Sequence, residues 1–171
     1  DVARPEAAEV VRRLRADGLK LAMLTGDDAR VAAAIAAQVG LDEVHARLLP
    51  ADKGERLRAW QAAGEVVAMV GDGLNDAPAL AQADVGLALS SGTDVALEAG
   101  DIALLREGLG GVGEALALSR AAMRIIRGNL VWAFGYNLVM LPVAALVPLN
   151  PMWAAAAMAL SSVSVVANSL R

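Results

Sequence analysis

The stretch VAMVGDGLNDAPAL, residues 67–80, ends an apolar run rich in β-branched residues with two carboxylates, Asp72 and Asp76, set in a glycine turn. Gly71 and Gly73 let the backbone turn sharply and come close to a ligand. Two unpaired carboxylates in one small space repel each other, so a cation is their natural partner. Mg²⁺ suits them best, because it binds one or two carboxylates and fills its remaining positions with phosphate oxygens and water. A second segment, LTGDD at 24–28, offers the phosphate side of such a site. Thr25 supplies a hydroxyl, and Gly26 with Asp27 supplies backbone N–H groups at a helix start, where an anion is favoured. Lys53, in LPADK, adds a cation near the beginning of another helix. Thr25, Gly26, Asp27 and Lys53 therefore read as phosphoryl-binding residues, and Asp72, Asn75 and Asp76 as a Mg²⁺ and phosphate site. The aspartates have a plainer reading as helix N-caps, Asp76 with Pro78 in the first turn and Asp27 or Asp28 likewise, and the two readings are compatible.

Positioning these residues requires strands that end together. Residues 5–17 read as a helix begun by Pro5 and ended before Gly18. LKLAMLTG follows as a buried strand, DDARVAAAIAAQVGL as a helix closing at Gly40, EVHARL as a short extended piece, and residues 52–63 as a helix after Pro50. The strand EVVAMV, the glycine loop, a brief helix after Asp76, and the strands DVGLAL and DIALL complete the series. Strands and helices alternate and the strands are continuous apolar runs, which is the pattern of a doubly wound parallel sheet. In such sheets ligands bind beyond the carboxyl ends of the strands, where TGD and GDGLND fall. His45 takes no role in this reading, and Met23, Trp60 and Met69 serve packing.

The charge distribution divides the chain. All 19 acidic residues lie at or before Glu114, whereas four of the 15 basic residues, Arg120, Arg124, Arg127 and Arg171, follow it. From Asn129 to Leu170 no side chain is charged, and only PLNP at 148–151 interrupts the run. Each half is roughly 20 residues, the length that crosses a hydrocarbon core of about 30 Å. The expectation over 120–171 is the end of a juxtamembrane helix that starts near Gly110, followed by a transmembrane hairpin, with the arginines on the cytoplasmic side. Trp132 and Trp153 sit near opposite ends of the two spans. A helical hairpin buried in a soluble core is the alternative. Residues 1–119 would form the cytoplasmic domain. The opening helix is charged and amphipathic, without the apolar core of a signal peptide. The absence of cysteine excludes disulfides and thiolate metal sites within these residues.

Polar groups inside a span are expensive unless they meet a partner or a pathway. Tyr136 and Asn137 are adjacent in the first apolar segment, and Met158 and Ser162 lie one helical turn apart in the second. A hydroxyl, an amide and a thioether without a carboxylate suit a soft monovalent ion better than Zn²⁺. Close helix packing by Ser161, Ser162 and Ser164, with Met158 as filler, remains the competing account.

MLTGDD, LPADK, VAMVGDGLNDAPALAQADVGLAL and GTDVALEAGDIAL together resemble the second half of the phosphorylation domain of P-type ATPases, within the haloacid dehalogenase superfamily. The resemblance implies a partial haloacid dehalogenase-like α/β sheet followed by the last two membrane helices. It also implies Thr25 and Lys53 on a phosphoryl group, Asp72 and Asp76 on Mg²⁺, and ATP as substrate. The phosphorylated aspartate of that family lies in a DKTG motif, which this sequence lacks, so the resemblance implies a carboxy-terminal fragment that is inactive alone. The nucleophile and the rest of the polypeptide are then expected upstream. Asp28 stands where the family commonly has asparagine.

The apolar segments are similar to those of the heavy-metal (P1B) branch, specifically its copper(I) group. There a Tyr-Asn pair in one helix and Met with Ser in the next line the ion path, matching Tyr136, Asn137, Met158 and Ser162. The zinc and cadmium group carries a lysine and an aspartate in these helices, and neither occurs here. Arg127-Gly128-Asn129-Leu130 departs from the QNL common before the first span. The implied protein is an integral membrane pump, in a bacterial plasma membrane, that moves Cu⁺ with ATP; silver is the nearest substitute and zinc a more distant one. A membrane-anchored phosphatase of the same superfamily is the alternative from another class. No nucleic-acid partner is expected.

Overall fold

The computed structural model describes residues 3–90, 92–105, 108–146 and 151–170, without the side chains at 144, 151, 153, 154 and 157. The chain divides into two compact units, Asp1–Ala115 and Leu116–Arg171.

The first unit alternates helix and strand: α1 (Ala7–Ala16), β1 (Ala22–Leu24), α2 (Ala29–Val39), β2 (Glu43–His45), α3 (Pro50–Ala62), β3 (Ala68–Gly71), α4 (Ala77–Gln82), β4 (Val85–Leu89), α5 (Asp94–Ala99) and β5 (Ile102–Leu104). Every pairing is parallel. The α/β class is as expected, but the single sheet is not: β1 pairs with β2 in one ladder, and β3, β4 and β5 form another in that order. The longest strand, β4, lies between two neighbours and buries Gly86 to Leu89. β1, expected to be buried, has one neighbour, and its Ala22 is exposed with Met23 and Leu24 only half-buried. An edge strand has no second ladder to cover it.

Helix ends follow local chemistry. α2 starts at Asp28, whose carboxylate accepts the Arg30 N–H at 3.0 Å, and stops at Gly40, which takes the left-handed conformation at φ 81°. α3 begins after Leu49, whose N–H donates to the Asp52 side chain at 2.8 Å, with Pro50 in the first turn. α5 has no counterpart in the sequence reading; Thr93 caps it through the Ala96 N–H. Leu57 of α3, Met69 of β3, Ala79 and Leu80 of α4, Ala88 of β4 and Ala96 of α5 form the core, with Leu24 and Trp60 packed against it. Burying these side chains drives assembly of α3, α4 and α5 on the three-stranded ladder, at roughly 25 cal/mol per Å² of apolar area. His45 stacks edge-on against Trp60 at 5.7 Å and meets the Glu43 carboxylate, so its contacts are structural.

Two helices account for the remainder, α6 (Gly110–Leu146) and α7 (Pro151–Ser169). Here the expected transmembrane hairpin is not confirmed: among the described residues no helix is long and apolar enough to cross a membrane. The described apolar half of α6 is diluted by Asn129, Tyr136, Asn137 and Pro142, and it follows directly on Arg120, Arg124 and Arg127. The expected PLNP turn, together with Arg171 and the side chain of Trp153, lies outside the described residues. Within the second unit α6 and α7 are joined by side-chain amides: Asn168 Nδ2 donates to Asn129 Oδ1 at 2.8 Å and Asn129 Nδ2 to Ser169 Oγ at 2.8 Å.

Candidate functional site

The strand-end loops after β1, β2 and β3 are held to one another by a series of hydrogen bonds. Thr25 leaves β1 with its N–H on the His45 carbonyl of β2 at 2.9 Å. The chain after β2 returns the contact: the Leu48 N–H donates to the Thr25 carbonyl at 3.0 Å and the Arg47 N–H to the Asp27 carbonyl at 2.9 Å. Gly26 passes close beneath the Leu48 carbonyl. Arg47 pays for its place with a left-handed backbone, φ 56°, unusual for a side chain with a Cβ. Its guanidinium bonds the Asp28 carboxylate at 2.5 Å. Three residues later, at Pro50, α3 begins, and it carries Lys53 inward.

Within this frame the TGD segment is closed on itself. The Thr25 hydroxyl donates to Asp27 Oδ2 at 2.9 Å and accepts the Asp27 N–H at 3.1 Å. Of the two N–H groups expected to receive an anion, that of Asp27 is therefore already engaged. Asp28, not Asp27, provides the helix cap. The Arg30 N–H first, and then the Arg47 guanidinium, lower the Asp28 pKa below the ordinary carboxylate value.

The glycine loop after β3 brings Asp76 onto Lys53. Lys53 Nζ donates to Asp76 Oδ1 at 2.7 Å, with the two side chains only 10% and 17% exposed. Asp76 occupies the N-cap position of α4, yet its side chain makes no capping bond there. The cap reading is thus answered for this residue: its carboxylate is turned to the lysine. The turn also needs Gly71, for a Cβ there would lie 2.7 Å from the Asp76 Cβ. Gly73 is different, since its nearest neighbours would be 3.9 Å away. Neither glycine has a positive φ; close approach, not left-handed backbone, is what Gly71 provides.

Asp72 faces outward. Its carbonyl accepts the Thr93 N–H at 2.9 Å, fixing the loop against the start of α5, and its Oδ2 meets Arg4 Nη2 at 3.3 Å, the side chains being 39% and 49% exposed for Arg4 and Asp72. Asn75 is exposed. Among the described residues no group of three or more His, Cys, Asp or Glu gathers as a metal cage. The donor set nevertheless fits Mg²⁺: Asp76 keeps Oδ2 beyond the lysine contact, Asp72 adds a second hard oxygen, and the remaining positions fall to water and phosphate.

In the second unit Asn137 donates to the Ala133 carbonyl at 2.8 Å and Ser162 to the Met158 carbonyl at 3.2 Å, each one turn back on its own helix. Tyr136 is half-buried, and Met158 is exposed.

Arg4, Arg47 and Thr93 were not legible as site residues. Arg4 lies 68 positions from Asp72, and no spacing rule links them. Thr93 alone had a local signal, a threonine followed by aspartate at a helix start.

A strand-alternating α/β domain with carboxylates, lysine and threonine at its strand ends defines the haloacid dehalogenase-like class, and the haloacid dehalogenase-like hydrolase family model matches residues 1–84. All 171 residues align at 59% identity with a probable copper-exporting P-type ATPase V of Mycobacterium tuberculosis (strain CDC 1551 / Oshkosh), covering 22% of that protein. A copper-exporting P-type ATPase of Staphylococcus aureus (strain JH9) is 51% identical across the whole chain, which covers 21% of it. A crystal structure of a zinc-transporting PIB-type ATPase in its E2.Pi state superposes with a TM-score of 0.94 at 42% identity, covering 100% of this chain and 28% of that one. Along its whole length the chain is similar to P-type ATPases. It spans about a fifth of the length of the curated relatives it matches.

Proposed function

We propose that this chain supplies half of the phosphoryl-transfer site and the last helix pair of an ATP-driven copper(I) pump working through an aspartyl-phosphate. The buried Lys53–Asp76 pair at the end of β3 is the observation that carries this reading. A lysine taken out of water beside a strand-end carboxylate places a fixed positive charge where phosphoryl oxygens would gather, and in a dry site such a charge acts strongly. Thr25 and the Gly26 N–H bind the phosphoryl oxygens; Asp27 orients the Thr25 hydroxyl. Asp72 and Asp76 hold Mg²⁺, which neutralises phosphate charge when bound. Asn75 flanks this pair on the same loop. The nucleophilic aspartate and the adenine-binding part come from the remainder of the polypeptide, on a strand that pairs with the open edges of β1 and β3.

Copper is favoured over other metals by the donor types of Tyr136, Asn137, Met158 and Ser162, and by the likeness to copper-exporting P-type ATPases at 59% and 51% identity. Zinc is the second reading, because a zinc-transporting PIB-type ATPase superposes with a TM-score of 0.94. The absence of any Asp, Glu or Lys after Glu114 in this sequence argues against it. In this proposal α6 beyond Arg127 and α7 lie in the plasma membrane with residues 1–119 in the cytoplasm. Its support is the uncharged sequence from Asn129 to Leu170 and the exposure of Leu130, Trp132, Phe134, Leu138 and Leu160. The decisive experiment assays ATP hydrolysis by the intact protein with Cu⁺, Ag⁺ or Zn²⁺. Stimulation by Cu⁺ that is lost in Met158→Ala supports the reading, while stimulation by Zn²⁺ alone would overturn its copper part.

A further inference from the structure

The two carboxylates assigned to Mg²⁺ are held by two very different cations. Asp76 has Lys53, buried, at 2.7 Å. Asp72 has Arg4 at 3.3 Å, Nη2 to Oδ2, with the two side chains 39% and 49% exposed. The first pair is shielded from solvent and salt. The second is open to both, so its attraction is weak and readily exchanged. Lys53 also sits on a helix whose next turn is anchored in the core by Leu57, whereas Arg4 lies outside any helix, three residues before α1.

From this asymmetry we propose that Arg4 is a displaceable counter-ion that occupies Asp72 until Mg²⁺ arrives, and so sets the Mg²⁺ affinity of the loop. The inference rests on the Mg²⁺ assignment made above. Without a cation at Asp72, the loop would carry one carboxylate neutralised by Lys53 and one bare carboxylate beside it. Arg4 removes that repulsion in the metal-free state and keeps the Asp72 side chain in place. A dication on either carboxylate would repel the cation already there, and Arg4, partly exposed, can relieve that repulsion by withdrawing into solvent. Lys53 stays, since withdrawing it would leave a buried charge unpaired. Metal binding is therefore an exchange of cations at Asp72 and not an addition of charge to an empty site. Its cost is the Arg4 contact plus the repulsion of a guanidinium that remains nearby on its tether.

The test is Mn²⁺ binding to the full chain, followed by the electron paramagnetic resonance of free Mn²⁺ and by Mg²⁺ competition, in wild type, Arg4→Gln, Arg4→Lys and Asp72→Asn. Loss of an exposed pair of this kind is expected to tighten Mn²⁺ binding about fivefold in Arg4→Gln, with the gap closing as salt is raised. Arg4→Lys restores the charge and should return the affinity towards wild type, which separates a counter-ion from a merely structural arginine. If Asp72→Asn abolishes binding while Arg4→Gln binds as wild type does, the counter-ion role is overturned and the metal site stands. If Asp72→Asn binds as wild type does, the metal assignment itself fails, and the inference with it.

Discussion

Lys53 and Asp76, 23 positions apart, meet at 2.7 Å with little of either side chain exposed, and this contact ties the first turn of α3 to the loop after β3. A buried ion pair is worth little against an apolar substitute but is costly to break from one side. Lys53→Met should therefore destabilise the first unit by about 3 kcal/mol, and Asp76→Asn by a similar amount, because each leaves an unpaired charge. The double variant should cost much less than their sum. Urea unfolding of the four proteins measures the coupling directly, and additive losses would show that the pair does not act as a unit.

The two glycines of the loop separate just as clearly. Gly71→Ala puts a methyl 2.7 Å from the Asp76 Cβ, so the carboxylate must swing off Lys53 or the strand end must shift. The expected loss is about 1–3 kcal/mol. Gly73→Ala meets nothing closer than 3.9 Å and should change the unfolding free energy by less than about 0.5 kcal/mol. Equal effects in a denaturation series would mean that the turn, and not the approach of Asp76, is what needs glycine.

What the sequence revealed, and what it hid, follows from the range of each interaction. Helix stops at Gly18 and Gly40 and a start at Asp27 or Asp28 were readable because the deciding groups are neighbours in sequence; the structure puts the cap on Asp28. The parallel α/β class followed from apolar runs alternating with helices. The division into two ladders did not, since nothing within β1 or β3 states whether the two strands pair. α5 has six residues, too few to establish a periodicity, and it lacks the proline that marked the equally short α4. Thr25, Lys53, Asp72 and Asp76 were picked out by residue type, but that Asp76 turns to Lys53 and Asp72 to Arg4 depends on loops folding together across long separations. The apolar length after Asn129 was equally plain in sequence, yet the described parts of α6 and α7 do not amount to a span.

Stability should fall in acid through two surface carboxylates. The Val67 N–H, at 2.8 Å, and then the Gln61 amide hold Asp84 below its ordinary value of 3.8; the Arg30 N–H and Arg47 do the same for Asp28. A lowered folded-state pKa means the native state binds fewer protons than the unfolded chain does. The stabilisation is therefore complete above the ordinary value and drains away as pH falls below it. Asp84→Asn keeps an acceptor for Val67 but cannot titrate, so its urea midpoint should fall less steeply between about pH 4 and pH 2. Lys20 works in the opposite sense. The Glu65 carboxylate raises its pKa above 10.5, and the stability it lends is present below that value and lost as pH climbs through the raised one.

Arg47 offers a test of strain near the TGD segment. Its left-handed backbone, φ 56°, would cost a glycine nothing, so Arg47→Gly should recover about 1 kcal/mol of backbone strain. The same change removes the guanidinium from Asp28, an exposed pair whose loss is worth about 0–1 kcal/mol. The net change in stability should be small. If unfolding measurements instead show a large loss, the side chain holds the loop by more than its ion pair.

Within the second unit, the amides of Asn129 and Asn168 set the register of α6 against α7. Asn168 Nδ2 reaches both Asn129 Oδ1 and the Ile125 carbonyl, the latter at 3.4 Å, and Asn129 passes the contact on to Ser169. Gly128 makes room, because a Cβ there would stand 3.1 Å from the Asn168 amide. In the proposed membrane setting, Asn168→Ala is expected to cost about 0.6–1.7 kcal/mol, the range of polar contacts between helices in lipid. Gly128→Leu should cost at least as much, since the leucine both displaces Asn168 and fills the space it occupied. The two changes act on one contact, so the double variant should lose little more than Gly128→Leu alone, whereas independent effects would add. Unfolding in detergent, followed by the α-helical circular dichroism signal, distinguishes these outcomes: full additivity would show that Gly128 serves the packing of α6 and α7 without serving the Asn168 contact.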